Sequence, residues 1–201
     1  MLDVGRGFVP CPFLNNKGRL GAMVENYNEV LYANERMETE RLILRKFRLE
    51  DAEGILEYGS CAETVKDLMW DGVSTLEEAR AGIFEYHWSR PGIWAIEHKE
   101  SGKMIGCIDI RLKLAHEKAS FGYVLNKKFW GQGYMTEALS AVLKLCFEQL
   151  KLNRVEARHY VGNEASGRVM EKAGMVREGQ AAKCEKVKGV FRDVVFYGIT
   201  R

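Results

Sequence analysis

From residue 37 onward, apolar and polar positions along the chain follow two rhythms. Arg41 to Phe47 (RLILRKF) interleaves leucine and isoleucine with basic residues at period two, the pattern of a half-buried strand. Leu49, Ile55 and Leu56, and then Thr75 to Trp88, follow helical spacing, with Glu50, Asp51, Glu77 and Glu78 at the starts where a helix dipole favours acids. Ile93 to His98 and Met104 to Leu112 return to the strand rhythm, and the Ser-Gly turn within Lys99 to Lys103 predicts a hairpin. In the second of these strands, alternation puts Ile105, Cys107, Asp109 and Arg111 on one face and Gly106, Ile108 and Ile110 on the other. Ala119 to Leu125 extends the antiparallel meander.

From residue 133 the period lengthens. Ala138, Leu139, Val142, Leu143, Cys146, Phe147 and Leu150 form the stripe of the longest helix, which must pack on the sheet. A strand over Arg154 to Tyr160, a helix over Glu164 to Ala173, and strands over Met175 to Lys183 and Phe191 to Ile199 complete a mixed α/β order with one βαβ unit. Residues 1–36 differ, with two of the three prolines, several glycines and asparagines, and no sustained periodicity before Val24 to Tyr32. We expect an N-terminal extension over 1–36, either an unstructured tail or an arm reaching a second subunit in a homodimer, and one domain over 37–201.

Composition narrows the chemistry. With 201 residues, 46% of them hydrophobic, the chain can bury one real core. Thirty Lys plus Arg against 28 Asp plus Glu leave a net charge of +2, too little for the dense positive field of direct nucleic-acid binding. The five cysteines and four histidines are dispersed, matching neither a disulfide framework nor a metal site, so no metal is expected. No apolar run approaches a membrane span and no signal pattern opens the chain, which points to a cytoplasmic protein.

The candidate chemistry lies between the third strand and the long helix, in Lys128-Phe129-Trp130-Gly131-Gln132-Gly133-Tyr134-Met135-Thr136-Glu137-Ala138. Two glycines one residue apart let the backbone turn tightly at a helix start, where amides and dipole together favour an anion. By spacing alone, a plain turn before a helix is the more common meaning of Gly-x-Gly. Lys128-x-x-Gly131-x-Gly133, however, resembles the Gln/Arg-x-x-Gly-x-Gly/Ala signature of the GNAT superfamily of acetyl-CoA-dependent N-acetyltransferases. Gly122-Tyr123-Val124-Leu125 through Glu137-Ala138 is similar to the branch containing the Rim-type ribosomal-protein N-terminal acetyltransferases. Glu38 to Arg45, Asn163-x-x-Ser166-x-x-Val169-x-Glu171-Lys172-x-Gly174-Met175 and Arg192-Asp193-x-x-x-Tyr197 match in the same order.

That resemblance implies a central, mostly antiparallel sheet of about seven strands with a splayed central pair and helices on both faces. It also implies acetyl-CoA as acyl donor. Lys128 and the amides of Gly131, Gln132, Gly133, Tyr134, Met135 and Thr136 would hold its diphosphate. The backbone of Val124 and Leu125 would pair with the pantetheine arm, and Asn163 and Ser166 would face the arm and the sulfur. The acceptor would be an amine, on a protein N-terminus or a small molecule. The residues themselves also allow Asn163 a plain N-cap role, with Ser166 facing solvent.

An amine must lose its proton to attack, yet Ser120 stands where many relatives carry a glutamate two positions before Gly-Tyr. Asp109 is the replacement base we weigh first, ahead of Glu97 and Glu85, each of which has an ordinary salt-bridge reading. A backbone N–H near Val124 would serve the developing oxyanion, Ser166 the departing thiolate, and Tyr123 would stand behind Ser166 or simply pack. Cys107 and Cys146 lie on apolar patterns without a nearby histidine, so direct transfer without an acyl-enzyme is expected. The alternative of another class is a non-catalytic acyl-CoA-sensing or protein-interaction module.

Overall fold

A computed structural model describes residues 26–201. Residues 26–33 form the described part of a first helix, α1. An eight-stranded sheet follows, composed of β1 (Arg36–Glu38), β2 (Leu42–Arg45), β3 (Ile93–His98), β4 (Met104–Lys113), β5 (Lys118–Leu125), β6 (Arg154–Tyr160), β7 (Val176–Val187) and β8 (Val190–Thr200). The strands lie in the order β1-β2-β3-β4-β5-β6-β8-β7, and only the β5–β6 pair is parallel. The sheet therefore has eight strands where about seven were expected, because the three residues of β1 fold back on β2 through a turn in which the Thr39 amide donates to Leu42 O.

Helices cover both faces. On one face lie α1, α5 (Tyr134–Lys144) with its π-helical continuation Leu145–Gln149, and α6 (Glu164–Lys172), over a core containing Leu42, Leu44, Trp94, Ile108, Ile110, Leu139 and Val142. On the other face, α2 (Ala52–Gly59) and α4 (Leu76–Gly82) pack around Phe47, Ile55, Tyr58, Ala79, Met104 and Val124, with the short α3 (Ala62–Val65) between them in the chain. The period-three-and-four stripe of α5 is realised: Ala138, Leu139, Val142, Leu143, Cys146 and Leu150 are buried, while Phe147 is only partly covered. Residues 1–25 of the expected extension lie outside the described residues. The remainder contributes to the core, since Leu31 is buried and Trp94 Nε1 donates to Asn34 O at 2.8 Å.

The simple alternation expected for β4 is broken. Ile96 pairs with Gly106 but Glu97 pairs with Met104, so Ile105 is an extra residue in β4. The bulge rotates Ile105 into the cluster of Ile108 and Ile110 and away from the side of Cys107, which packs with Met104 on the opposite face. On that side the buried Arg45 guanidinium binds both oxygens of Asp51, at 2.7 and 2.8 Å, and Glu97 through Nε at 2.5 Å. Removing one member of such a set costs about 3–5 kcal/mol, because a buried charge is left uncompensated. It ties β2, β3 and the entry to α2 into one unit.

Candidate functional site

The central strands part. β5 pairs with β6 only through Lys118–Ser120 against Arg154–Glu156, and beyond that β6 pairs only with β8. The backbone edge of Phe121–Leu125 that faces β6 is thereby left open. Asn126 N donates to Ile105 O, and Val124 O lies against Gly106, so the peptide groups of Val124 point to β4. Strand alternation then turns those of Tyr123 and Leu125 toward the gap. The open pairing edge consequently belongs to Tyr123 and to the N–H of Leu125, since Leu125 O accepts from Trp130 Nε1. Val124 N–H itself faces β4, so the backbone N–H expected near Val124 for the developing oxyanion would be that of Tyr123 or Leu125.

The glycine loop begins where β5 ends. Asn126 Oδ1 accepts from Lys128 N at 3.0 Å, opening a 3-10 turn over Lys127–Phe129, and Trp130 Nε1 donates to Leu125 O at 2.7 Å. Gly131 and Gly133 then take φ of +74° and +83°, left-handed conformations that favour glycine. Gly133 is the N-cap of α5, and its carbonyl accepts from Glu137 N. Among the described residues, the amides of Gly131, Gln132, Gly133, Tyr134, Met135 and Thr136 donate to no protein acceptor. No atom lies within 4 Å of where a Cβ on Gly131 would sit. A run of unspent amides, an open corner and a helix dipole form a site for an anion such as a diphosphate.

The flanking side chains lock this corner. Tyr134 and Met135 are buried, so they offer only backbone, and Tyr134 OH bonds His98 Nε2 at 3.0 Å. Gln132 Nε2 donates to Lys128 O at 3.1 Å. Lys128 Nζ meets Glu57 at 2.6 Å, keeping the Glu57 carboxyl below its ordinary range. Arg41, which the sequence reading did not single out, donates from Nη1 to Gln132 O at 3.0 Å and from Nε to Glu137 Oε2 at 2.7 Å.

At the far side of the gap, Asn163 caps α6, its Oδ1 accepting from Ser166 N at 3.3 Å; the plain N-cap role is thus realised. Ser166 does not face solvent alone. Tyr123 OH lies 2.8 Å from Ser166 Oγ and 3.0 Å from Ser166 O. A phenol has one proton, so when Tyr123 donates to the carbonyl, Ser166 must donate to Tyr123. Burial raises the Tyr123 phenol well above its usual value, with the Ser166 hydrogen bond only partly opposing it. The structure therefore joins Tyr123 and Ser166 at the parting of β5 and β6.

Asp109 is not part of that pair. It is buried on β4, where Arg90 Nη2 holds Oδ2 at 2.7 Å, Arg111 Nη2 holds Oδ1 at 2.9 Å, and Tyr86 OH lies 3.3 Å from Oδ2. Both oxygens are occupied by protein donors. Glu97 is held by Arg45, and Glu85 lies exposed on the helical layer. Cys107 and Cys146 have thiols pushed up to about 12, Cys146 by burial and Cys107 by burial and then by the charge of Asp109. Neither carries an appreciable thiolate fraction near neutrality. Trp94 is buried, whereas Trp70, Trp88 and Trp130 remain partly exposed at separate places.

Comparison with known proteins agrees with this geometry. The family model described as acetyltransferase (GNAT) domain matches residues 41–176. The chain is 31% identical over 170 residues to the uncharacterized N-acetyltransferase YoaA of Bacillus subtilis, covering 82% of this chain and 96% of that protein. It is 25% identical over 177 residues to the Escherichia coli [ribosomal protein uS5]-alanine N-acetyltransferase, covering 82% of this chain and 90% of that enzyme. The crystal structure of a GNAT-family acetyltransferase from Bacillus anthracis superposes with a TM-score of 0.75 at 32% identity, covering 82% and 98% of the two chains. The match over most of the domain, with the parted strands and the glycine loop in their expected places, makes this chain a member of the GNAT acetyltransferase family.

Proposed function

We propose that this protein transfers an acetyl group from acetyl-CoA directly to a primary amine. One observation carries the reading: consecutive unspent amides from Gly131 to Thr136 open a helix beside an unpaired strand edge. The amides would accept the diphosphate, and the edge of Tyr123 and Leu125 would accept the amide-bearing arm as an added strand. Acetyl-CoA supplies an activated thioester. Asn163 fixes the first turn of α6. As the amine nitrogen bonds to the acyl carbon and the C–S bond breaks, Ser166 gives its proton to the sulfur and takes one from Tyr123. The proton shed by the amine returns through solvent to Tyr123, which burial keeps neutral. Cys107 and Cys146 stay out of the reaction as neutral thiols.

The acceptor is read from what the site lacks. Both oxygens of Asp109 already accept from protein donors, two of them arginines, and Ser120 stands where many relatives carry a glutamate. At pH 7 an α-amino group of pKa about 8 is roughly one-tenth neutral, whereas a lysine of pKa about 10.4 is neutral in only about one molecule in 2,500. A site without a dedicated base therefore loses only about tenfold on an α-amine and over a thousandfold on a lysine. We take a protein N-terminus as the acceptor, the class named for the Escherichia coli relative, with the reaction in the cytoplasm. Among the described residues no helix is long and apolar enough to cross a membrane.

The occupied Asp109 also favours a second reading, a non-catalytic acyl-CoA sensor. Thermal-shift measurements with acetyl-CoA, followed by thiol-release assays over N-terminal peptides, lysine peptides and small amines, separate the two. Release with N-terminal peptides supports the enzyme, stabilisation without release from any acceptor supports the sensor, and no stabilisation removes both.

A further inference from the structure

Next to the free amides stands a carboxylate. Glu137 lies in the first turn of α5, four residues after the N-cap Gly133. Burial alone would raise its carboxyl, but hydrogen bonds from Thr39 Oγ1 at 2.6 Å, the Arg41 amide at 2.8 Å and the Arg41 Nε at 2.7 Å outweigh burial and hold it below its ordinary value. It is ionised at neutral pH. An uncompensated negative charge one turn from a diphosphate would oppose binding.

Arg41 neutralises it and does something more specific. Its guanidinium carbon sits 4.4 Å from the centroid of the Tyr134 ring, which fixes the fork over the helix start. Nη1 then holds the carbonyl of Gln132. In a trans peptide the carbonyl and the following N–H point in opposite directions, and no peptide in the described chain is cis. Anchoring Gln132 O toward Arg41 therefore turns Gly133 N–H away from the guanidinium and leaves it free for an outside acceptor.

We propose that Arg41 is a positioning residue for the donor's diphosphate: it cancels the charge of Glu137 and orients the Gln132–Gly133 peptide so that its N–H is presented to phosphate oxygen. This inference rests on the proposed acetyl-CoA site and adds to it a residue contributed by the segment before β2, outside the glycine loop. It predicts an effect that depends on the diphosphate and on Glu137, which a general packing role would not produce.

The test compares acetyl-CoA with acetyl-pantetheine, which lacks the diphosphate, as donors for wild type, Arg41→Met, Arg41→Lys, Glu137→Gln and the Arg41→Met/Glu137→Gln double variant. Losing a charge-assisted hydrogen bond and exposing a like charge should raise KM for acetyl-CoA about 10- to 100-fold in Arg41→Met. KM for acetyl-pantetheine and kcat at saturation should change less than about twofold, because neither senses the diphosphate corner. Adding Glu137→Gln should recover part of the loss. Equal loss with both donors, no loss with either, or no recovery in the double variant overturns the role of Arg41. Should Arg41→Met fail to fold by circular dichroism, Arg41→Lys decides, since it keeps the charge but lacks the planar fork whose Nε and Nη1 hold Glu137 and Gln132 O from fixed positions. An unchanged ratio of the two KM values in that variant equally overturns the proposal. If wild type itself does not distinguish the two donors, the diphosphate site fails, a different result from failure of Arg41 alone.

Discussion

Replacing Gly133 by valine tests the backbone geometry on which the cofactor site depends. The residue sits at φ +83° and ψ 0°, and the nearest atom to an added Cβ is Arg41 Nη2 at 3.5 Å, so the obstacle is conformational and not steric. A non-glycine residue held left-handed costs roughly 1–2 kcal/mol, more when β-branched. That energy must appear in one of two places. If the loop keeps its shape, the ligand-free protein loses stability, about 2–4 °C of Tm per kcal/mol at this size. If the loop relaxes, the competent fraction falls about tenfold for each 1.4 kcal/mol, and apparent affinity falls with it. Acetyl-CoA at a hundredfold excess over Kd stabilises the native state by about 2.7 kcal/mol, and a tenfold-weaker variant retains about half of that. Differential scanning fluorimetry with and without acetyl-CoA reads both quantities. Gly133→Asn, which tolerates the left-handed region, should lie between wild type and valine. A valine variant with unchanged Tm and the full ligand-induced shift would refute the assignment of this corner as the phosphate site.

The other tests address the chemistry and its supports. Ser166→Ala and Tyr123→Phe should each lower kcat by about 10- to 100-fold with little change in acetyl-CoA affinity, measured by steady-state kinetics. Because burial lifts the Tyr123 phenol above its ordinary value, it stays protonated as pH rises through 10, so the pH–rate profile should show no alkaline fall that Tyr123→Phe removes. Gly167→Val should destabilise by about 1–3 kcal/mol in urea melts and reduce turnover, since an added Cβ would meet His159 Nε2 and Tyr197 OH at 2.9 Å and push α6, with Ser166, off the sheet. Iodoacetamide at pH 7.5 should leave Cys107 and Cys146 of the folded protein unalkylated, and mass spectrometry after incubation with acetyl-CoA alone should find neither of them acetylated, because both are neutral thiols.

Much of the fold was legible because its signals are local. The periods of β2, β3 and β5, the hairpin turn between β3 and β4, and the apolar stripe of α5 each lie within a short window of chain, and the structure places strands and helix there. β1 and α3 carry only three and four residues, too few for a period to register. The bulge at Ile105 was hidden for another reason, since an extra residue in one strand is defined only against its partner. In the site, Gly131 and Gly133 were visible as a turn because glycine suits left-handed backbone, whereas their cofactor role and that of Ser166 came from the resemblance of the motifs, since position alone made Ser166 a solvent-facing residue after a capping asparagine. Arg41 was not visible, as its partners Gln132 and Glu137 lie more than ninety residues away.

The sequence by itself determined the longer strands and helices, that a glycine turn opens the longest helix, and which residue types stand near it. These follow from side-chain periodicity and backbone sterics, which act over a few residues. Only the tertiary structure decided that β5 and β6 part after Ser120, that Tyr123 meets Ser166 across the opening, and that Asp109 is occupied by Arg90 and Arg111. Hydrogen bonds and ion pairs between distant segments depend on where whole elements pack, and each donor in the chain had several acceptors that composition alone could not tell apart.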